Sequence, residues 1–234
     1  SVELDVAGAA TVVADLAGEK VADLLLINDR DLSYAKLRFD DRSIATLKSH
    51  LGKFDDALAR ALCWASIWDM HRDAEISTSD FIEIALNGLA GETDDAIVNI
   101  VLMQLNTSVE AYAKDSNRAA YREKLANGLW ALTQNSAPGS DLQLLISRAF
   151  AINAQTPEQT AKIRELLNGG APGLKVDTDL RWYFLIALTE RGATTKAELD
   201  AELATDNTTT GNLAFETCLA AMPNNEAKAY AFNK

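Results

Sequence analysis

Histidine and cysteine are nearly missing from this chain, with two of each in 234 residues. The helical zinc motif HExxH needs two histidines one turn apart, with a glutamate base between them. His50 and His71 are 21 positions apart and cannot form it. Cys63 and Cys218 lie in separate apolar helical stretches. A disulfide framework takes more cysteines in a smaller domain, so both read as small buried hydrophobes, in keeping with a reducing, cytoplasmic compartment. Neither has a histidine at a spacing that marks a nucleophile pair, and no serine sits in a G-x-S-x-G elbow.

Basic charge is scarce as well. Against 34 acidic residues stand 22 Lys and Arg, a formal net charge of -12 that repels phosphate backbones, and no basic run offsets it. Nucleic acid is thereby excluded as an expected partner. Apolar stretches such as Ile97 to Met103 are far too short to span a bilayer, and no basic, apolar, then small-residue pattern marks a secretory signal. What is present is ordinary globular material, 48% hydrophobic and 24% charged, long enough to bury a sizeable core.

Two regimes of periodicity divide the chain. Residues 1–40 show the period-two alternation of strands over Val2 to Val6, Thr11 to Leu16, Leu24 to Ile27 and Ser33 to Phe39, with Gly8 and Gly18 at turns. In Ser33 to Phe39, Ala35, Leu37 and Phe39 share one face, and Asn28-Asp29-Arg30-Asp31 makes the preceding run a hairpin. From Asp41 the spacing becomes helical. Phe54 to Met70 carries Leu58, Leu62, Ala65 and Trp68 as one stripe; further helices open at Ser77 and at Asp94-Asp95, follow Asp115-Ser116, run from Asp141 to Asn153, start near Asp177 or Thr178, and begin with capping boxes at Thr156/Gln159 and Thr195/Glu198. Helix starts at 157 and 195 are 38 residues apart, two helices per period, in the range of solenoid repeats. The expected fold is mainly α: a superhelical, HEAT/armadillo-like array of antiparallel helix pairs over residues 41–234, preceded by a small β portion over 1–40. The abrupt strand at the start and the helix at the end, Glu226 to Lys234, lead us to expect a piece of something larger.

Several constellations invite a chemical reading, and each has a plainer one. His71 has Glu75 one turn on and Asp69 and Asp73 nearby, at most two ligands; a polar helix end is the commoner arrangement. The acidic turn after Asn28 lacks the glycine that a calcium loop needs in sixth place, where Tyr34 stands. Gly169, Gly170 and Gly173 fit neither a dinucleotide fingerprint nor a P-loop. Trp64, Trp68, Trp130 and Trp182 lie on apolar helical segments and read as core, and Arg181 reads as ion-paired. Residues alone give no catalytic, cofactor-binding or metal-ligating position.

A resemblance goes further. Leu24 to Asp41, LLLINDRDLSYAKLRFDD, followed by Leu58 to Asp73, LARALCWASIWDMHRD, resembles the junction in bacterial aminopeptidase N enzymes, zinc metallopeptidases of the gluzincin type. Val176 to Leu188, VDTDLRWYFLIAL, and Asn224 to Phe232, NNEAKAYAF, are similar to further landmarks of that branch, in the same order. The resemblance implies the end of a small β-sandwich domain over 1–40 and a helical C-terminal domain over 41–234, cut short at its end. It also implies a parent enzyme that removes N-terminal residues from peptides using zinc. The family's HExxH, its later glutamate, its G-x-M-E-N loop and its catalytic tyrosine belong to an upstream domain, so no site residue carries over and this stretch alone is expected to be inactive. Its implied partners are the catalytic domain of the same polypeptide and peptide substrates, with no membrane. The competing expectation is a free-standing helical-repeat scaffold that binds a protein or peptide.

Overall fold

The computed structural model describes residues 2–233, and it is helical: eleven α-helices, with no strand among the described residues. The chain divides into two compact units, Ser1–Gly91 and Glu92–Lys234.

The first unit holds α1 (Asp41–His50), α2 (Ala57–Arg72) and α3 (Thr78–Leu89). Each starts where a short acceptor side chain can satisfy free amides of the first turn. Asp40 accepts from Ser43 N at 2.7 Å, Asp56 from Leu58 N at 2.8 Å, and Ser77 from Asp80 N at 3.1 Å. The amide of Ser43 also holds the Asp40 carboxyl below its usual pKa. Leu47, Leu51, Ile67, Phe81, Ile82, Ile84 and Leu89 are sealed from solvent, and burying each such side chain contributes about 1.5–3 kcal/mol. The helix ends at Leu89, and Gly88 within it and Gly91 beyond it both allow close approach. A β-carbon on Gly91 would lie 2.2 Å from the Gly52 carbonyl oxygen, and one on Gly88 would lie 2.6 Å from the Trp64 ring.

The strands expected within residues 1–40 do not form. Among its described residues the segment carries only short 3-10 turns, Ala14–Leu16 and Asp29–Asp31. The physical reason is that alternation marks a surface able to pair, and a ladder needs a neighbour with free amides and carbonyls. Hairpin pairing of Leu24 to Ile27 with Ser33 to Phe39 is replaced by one side chain: Asn28 Oδ1 accepts from Ser33 N at 2.8 Å while its Nδ2 donates to Ser33 O at 2.7 Å. The stretch is nonetheless fastened to the helices. Leu25 N donates to Ser43 Oγ at 3.1 Å, Thr46 Oγ1 to Asp23 O at 2.6 Å, and Phe39, itself buried, donates its amide to Met70 Sδ at 3.4 Å.

The second unit runs through α4 (Asp95–Thr107), α5 (Asp115–Asn135), α6 (Asp141–Asn153), α7 (Pro157–Leu167), α8 (Thr178–Glu190), α9 (Lys196–Thr205), α10 (Thr209–Ala221) and α11 (Asn225–Asn233). Most helix starts agree with the sequence reading because capping is local; α5 starts at Asp115 with no side-chain cap, and α6 is capped by Ser140. At α7 the capping box closes from both sides, Thr156 accepting from Gln159 N and Gln159 Oε1 accepting from Thr156 N. At α9 only half of the expected box forms. Thr195 accepts from Glu198 N, but the Glu198 carboxylate is drawn instead to Arg164 on α7. Helix α5 packs on α6, α7 on α8, and α10 on α8, α9 and α11. Phe150 and Phe184 are fully buried in this core.

Candidate functional site

Of the sequence candidates, His71 departs most from its expected setting. It does lie in the last turn of α2, but buried: the residue is 5% exposed, its ring lies flat on Phe81 with centroids 4.8 Å apart, and Trp68 is at 5.7 Å. Its Nδ1 is 2.9 Å from Ile76 O. Burial pushes its pKa down, opposed in part by the bond to that carbonyl. Asp73 and Glu75 turn away to bind cations of the N-terminal segment. Lys36 Nζ lies 2.5 Å from Asp73 Oδ2, and Arg38 pairs with both Asp73 and Glu75. The bond from Lys36 is the main reason the Asp73 carboxyl titrates below its usual range. Asp69 faces Arg72 at 3.9 Å. No group of three or more His, Cys, Asp or Glu side chains able to hold a metal occurs among the described residues.

The other candidates settle into structure. Asn28, Arg30 and Asp31 all take positive φ, in a turn locked by the Asn28 side chain. Cys63 and Cys218 are buried free thiols whose pKa values burial raises to about 12 and about 11, too high for a reactive thiolate. Trp130 packs against Phe150 with centroids 5.2 Å apart, and Trp182 donates Nε1–H to Asp206 at 2.8 Å. Arg181 is ion-paired as expected, bidentate to Glu202 at 2.6 and 2.7 Å.

The sequence reading missed a cleft in the second unit. There α4 does not pass directly into α5 but loosens into a π-type turn, Ser108–Tyr112, closed by Ala113 N donating to Ser108 O at 2.9 Å. Such widened turns alter which way side chains project and recur at functional sites. This one carries Glu110, which meets Arg122 of α5 in a two-pronged ion pair, Nε to Oε1 at 2.6 Å with a second bond from Nη2 to Oε2. The hydrogen bond between them lowers the pKa of Glu110 and raises that of Arg122, so both stay charged and neutralise each other. Together with Asn106, Ile152, Asn153 and Gln155 they line an open cleft of about 440 Å³.

The far wall of the cleft is the end of α6. Asn153, 6% exposed, donates Nδ2–H to Asn106 Oδ1 at 2.8 Å and to Ala149 O at 2.9 Å. Arg191, just past α8, secures the backbone on either side of it, donating from Nη2 to Ile152 O at 2.9 Å and from Nε to Ala154 O at 2.5 Å. Amide side chains and a self-neutralised ion pair can hydrogen-bond a ligand, but the cleft contains no nucleophile with a base beside it. A smaller cleft in the first unit, about 360 Å³, is lined by Asp23, Arg42, Ala45, Thr46, Ser49 and His50, with Arg42 paired to Asp23. Four elements converge on the larger cleft, and no contiguous motif announces it.

The family model of the ERAP1-like C-terminal domain covers residues 24–234. Aminopeptidase N of Streptomyces lividans is 42% identical over 233 residues, which is 99% of this chain but 27% of the relative, so the chain spans about a quarter of that protein's length.

Proposed function

The chain belongs to the ERAP1-like C-terminal domain family, and from that premise we propose that it is the non-catalytic C-terminal part of an aminopeptidase that removes N-terminal residues from peptides. The observation that carries this is the 42% identity sustained over 99% of the chain. In this reading residues 1–40 end a β-sandwich domain and residues 41–234 form the helical domain. The period-two pattern supports the first part, as do the side chains of Val6, Val12 and Ile27, left in solvent where a sheet would cover them. Packing of neighbouring helices, α5 on α6, α7 on α8 and α9 on α10, supports an array of antiparallel pairs. The array would enclose the catalytic cavity and limit which peptides enter.

Zinc belongs to the parent's catalytic domain in this proposal. The residues here do not suit it: the His71 ring is committed to a carbonyl and a stacked phenyl group, and its acidic neighbours are committed to Lys36 and Arg38. The partners are then the catalytic domain of the same polypeptide and peptide substrates, and two unbridged cysteines favour the cytoplasm. Among the described residues no helix is long and apolar enough to cross a membrane.

The test compares the 234-residue chain with the full-length protein on an aminoacyl-p-nitroanilide. The full-length protein is expected to release p-nitroaniline, to lose activity to a chelator and to regain it with zinc, while the chain alone releases none. Turnover by the chain alone, or a full-length protein without peptidase activity, would overturn the proposal.

A further inference from the structure

The cleft at the π-type turn offers an unusual inventory. Asn153 spends both hydrogens of Nδ2 inside the chain, but its Oδ1 takes no hydrogen bond there and is not sealed from solvent. Asn106 uses its Oδ1 for Asn153 and leaves its Nδ2 without a partner. The Gln155 side chain makes no hydrogen bond within the chain, and Arg122 keeps Nη1 free beside its pair with Glu110. Donors and acceptors are therefore interleaved around a space of about 440 Å³. Formal charge there is already cancelled by Glu110 and Arg122, so neither a lone anion nor a lone cation gains much from entering. A neutral group that donates and accepts together fits, and Ile152, 51% exposed, adds an apolar patch at the rim.

We infer that this cleft binds the main chain of an extended peptide, reading internal amide groups rather than charged ends. Asn153 Oδ1 receives a peptide N–H; Asn106 Nδ2 and Gln155 grip a carbonyl. The volume lies in the range of clefts that hold small ligands and accommodates a few residues. Choosing a peptide over other amides rests on the peptidase reading above; the hydrogen-bond pattern does not. Asn153 is held in place from two sides, by Ala149 O within α6 and by Arg191 behind the flanking carbonyls, so the acceptor is preorganised.

The experiment titrates the chain with N-acetyl-trialanine amide, which carries no charge at either end, and follows side-chain amide signals by NMR. The signals of Asn106, Asn153 and Gln155 are expected to shift together and to saturate. Sodium acetate and methylammonium, the charge-only controls, should leave them unmoved. Asn106→Ala with Gln155→Ala should weaken the tripeptide about tenfold, the loss of one or two hydrogen bonds. Gln155→Ala alone should weaken it by less; its side chain bonds nothing in the chain, so the fold is not at stake. Shifts scattered elsewhere, equal response to acetate, or unchanged affinity in both variants would overturn the inference. Because binding is read on this chain without turnover, its failure leaves the peptidase proposal standing, and an inactive full-length protein leaves the binding result standing.

Discussion

Arg191 is the residue on which the shape of the cleft depends, and replacing it should be costly. Its side chain is 11% exposed and reaches back from the end of α8 to three carbonyls: Ile152, Ala154 and, on its own helix, Ala187. The first two flank Asn153 at the end of α6, where helix geometry leaves carbonyls without amide partners. Burial presses the Arg191 pKa downward, the sign of a cation held for its hydrogen bonds rather than for favourable solvation. A hydrogen bond from a charged donor is worth about 1.5–3 kcal/mol, and some of that is returned when water reaches a carbonyl vacated at the surface. Arg191→Ala is therefore expected to cost about 3 kcal/mol in the second unit. Arg191→Lys should recover less than half, because one ammonium cannot span carbonyls on two helices. Urea unfolding gives the stability, and the Asn153 side-chain amide signal reports on the cleft. A loss under about 1 kcal/mol, or a lysine variant as stable as the parent, would refute this account of how α6 is terminated.

In the first unit Gly91→Ala would place a β-carbon 2.2 Å from the Gly52 carbonyl oxygen, a backbone atom unable to step aside. Gly91 lies outside α3, so no gain in helix propensity offsets the clash, and a loss of about 3 kcal/mol is expected by urea unfolding. Gly88→Ala meets only the tip of the Trp64 ring and gains about 1 kcal/mol of helix propensity, so its net cost should be smaller. His71 predicts a pH dependence. Its folded pKa is depressed, so the unfolded chain binds the proton more readily and stability falls as pH drops below about 6.5, the unfolded value, with no contribution well above it. Unfolding midpoints at pH 7.5 and 5.5 should differ for the parent and draw together for His71→Gln; equal slopes would rule out His71 as the source.

Helix boundaries were legible because their causes are local. Ser77, Asp94, Thr156, Asp177 and Thr195 each cap the helix that follows, and a reader needs only four or five consecutive residues to see why. The strands of residues 1–40 were not, because a strand is a relation to a neighbour. Ala35, Leu37 and Phe39 alternate correctly, yet only Phe39 is buried, against Met70. The surroundings of His71 were hidden for a related reason: sequence shows Asp73 and Glu75 close by but not that Lys36 and Arg38, more than thirty residues upstream, claim them. The larger cleft was invisible because Asn106, Glu110, Arg122 and Asn153 come from separate elements, and nothing in Ser108 to Tyr112 distinguishes a π-type turn from one more turn of α-helix.

That last failure bears on where chemistry can reside in a chain of this kind. A helix interior consumes its own amides and carbonyls, so a packed run such as α7 or α8 presents mostly side chains already committed to the core or to partners, as Arg164 is to Glu198 and Arg181 to Glu202. Free polar groups collect where helices end or lose register. In the second unit both happen at one place: α4 gives way to a π-type turn beside the last residues of α6, which Arg191 must stabilise from outside. An orphaned acceptor at Asn153, an unspent amide on Asn106 and a charge pair that cancels itself follow from that meeting of two helix ends. The cleft is thus a product of interrupted helix geometry, and substitutions that restore regular helix through Ser108 to Tyr112 should abolish it while leaving the core of Phe150 and Phe184 in place.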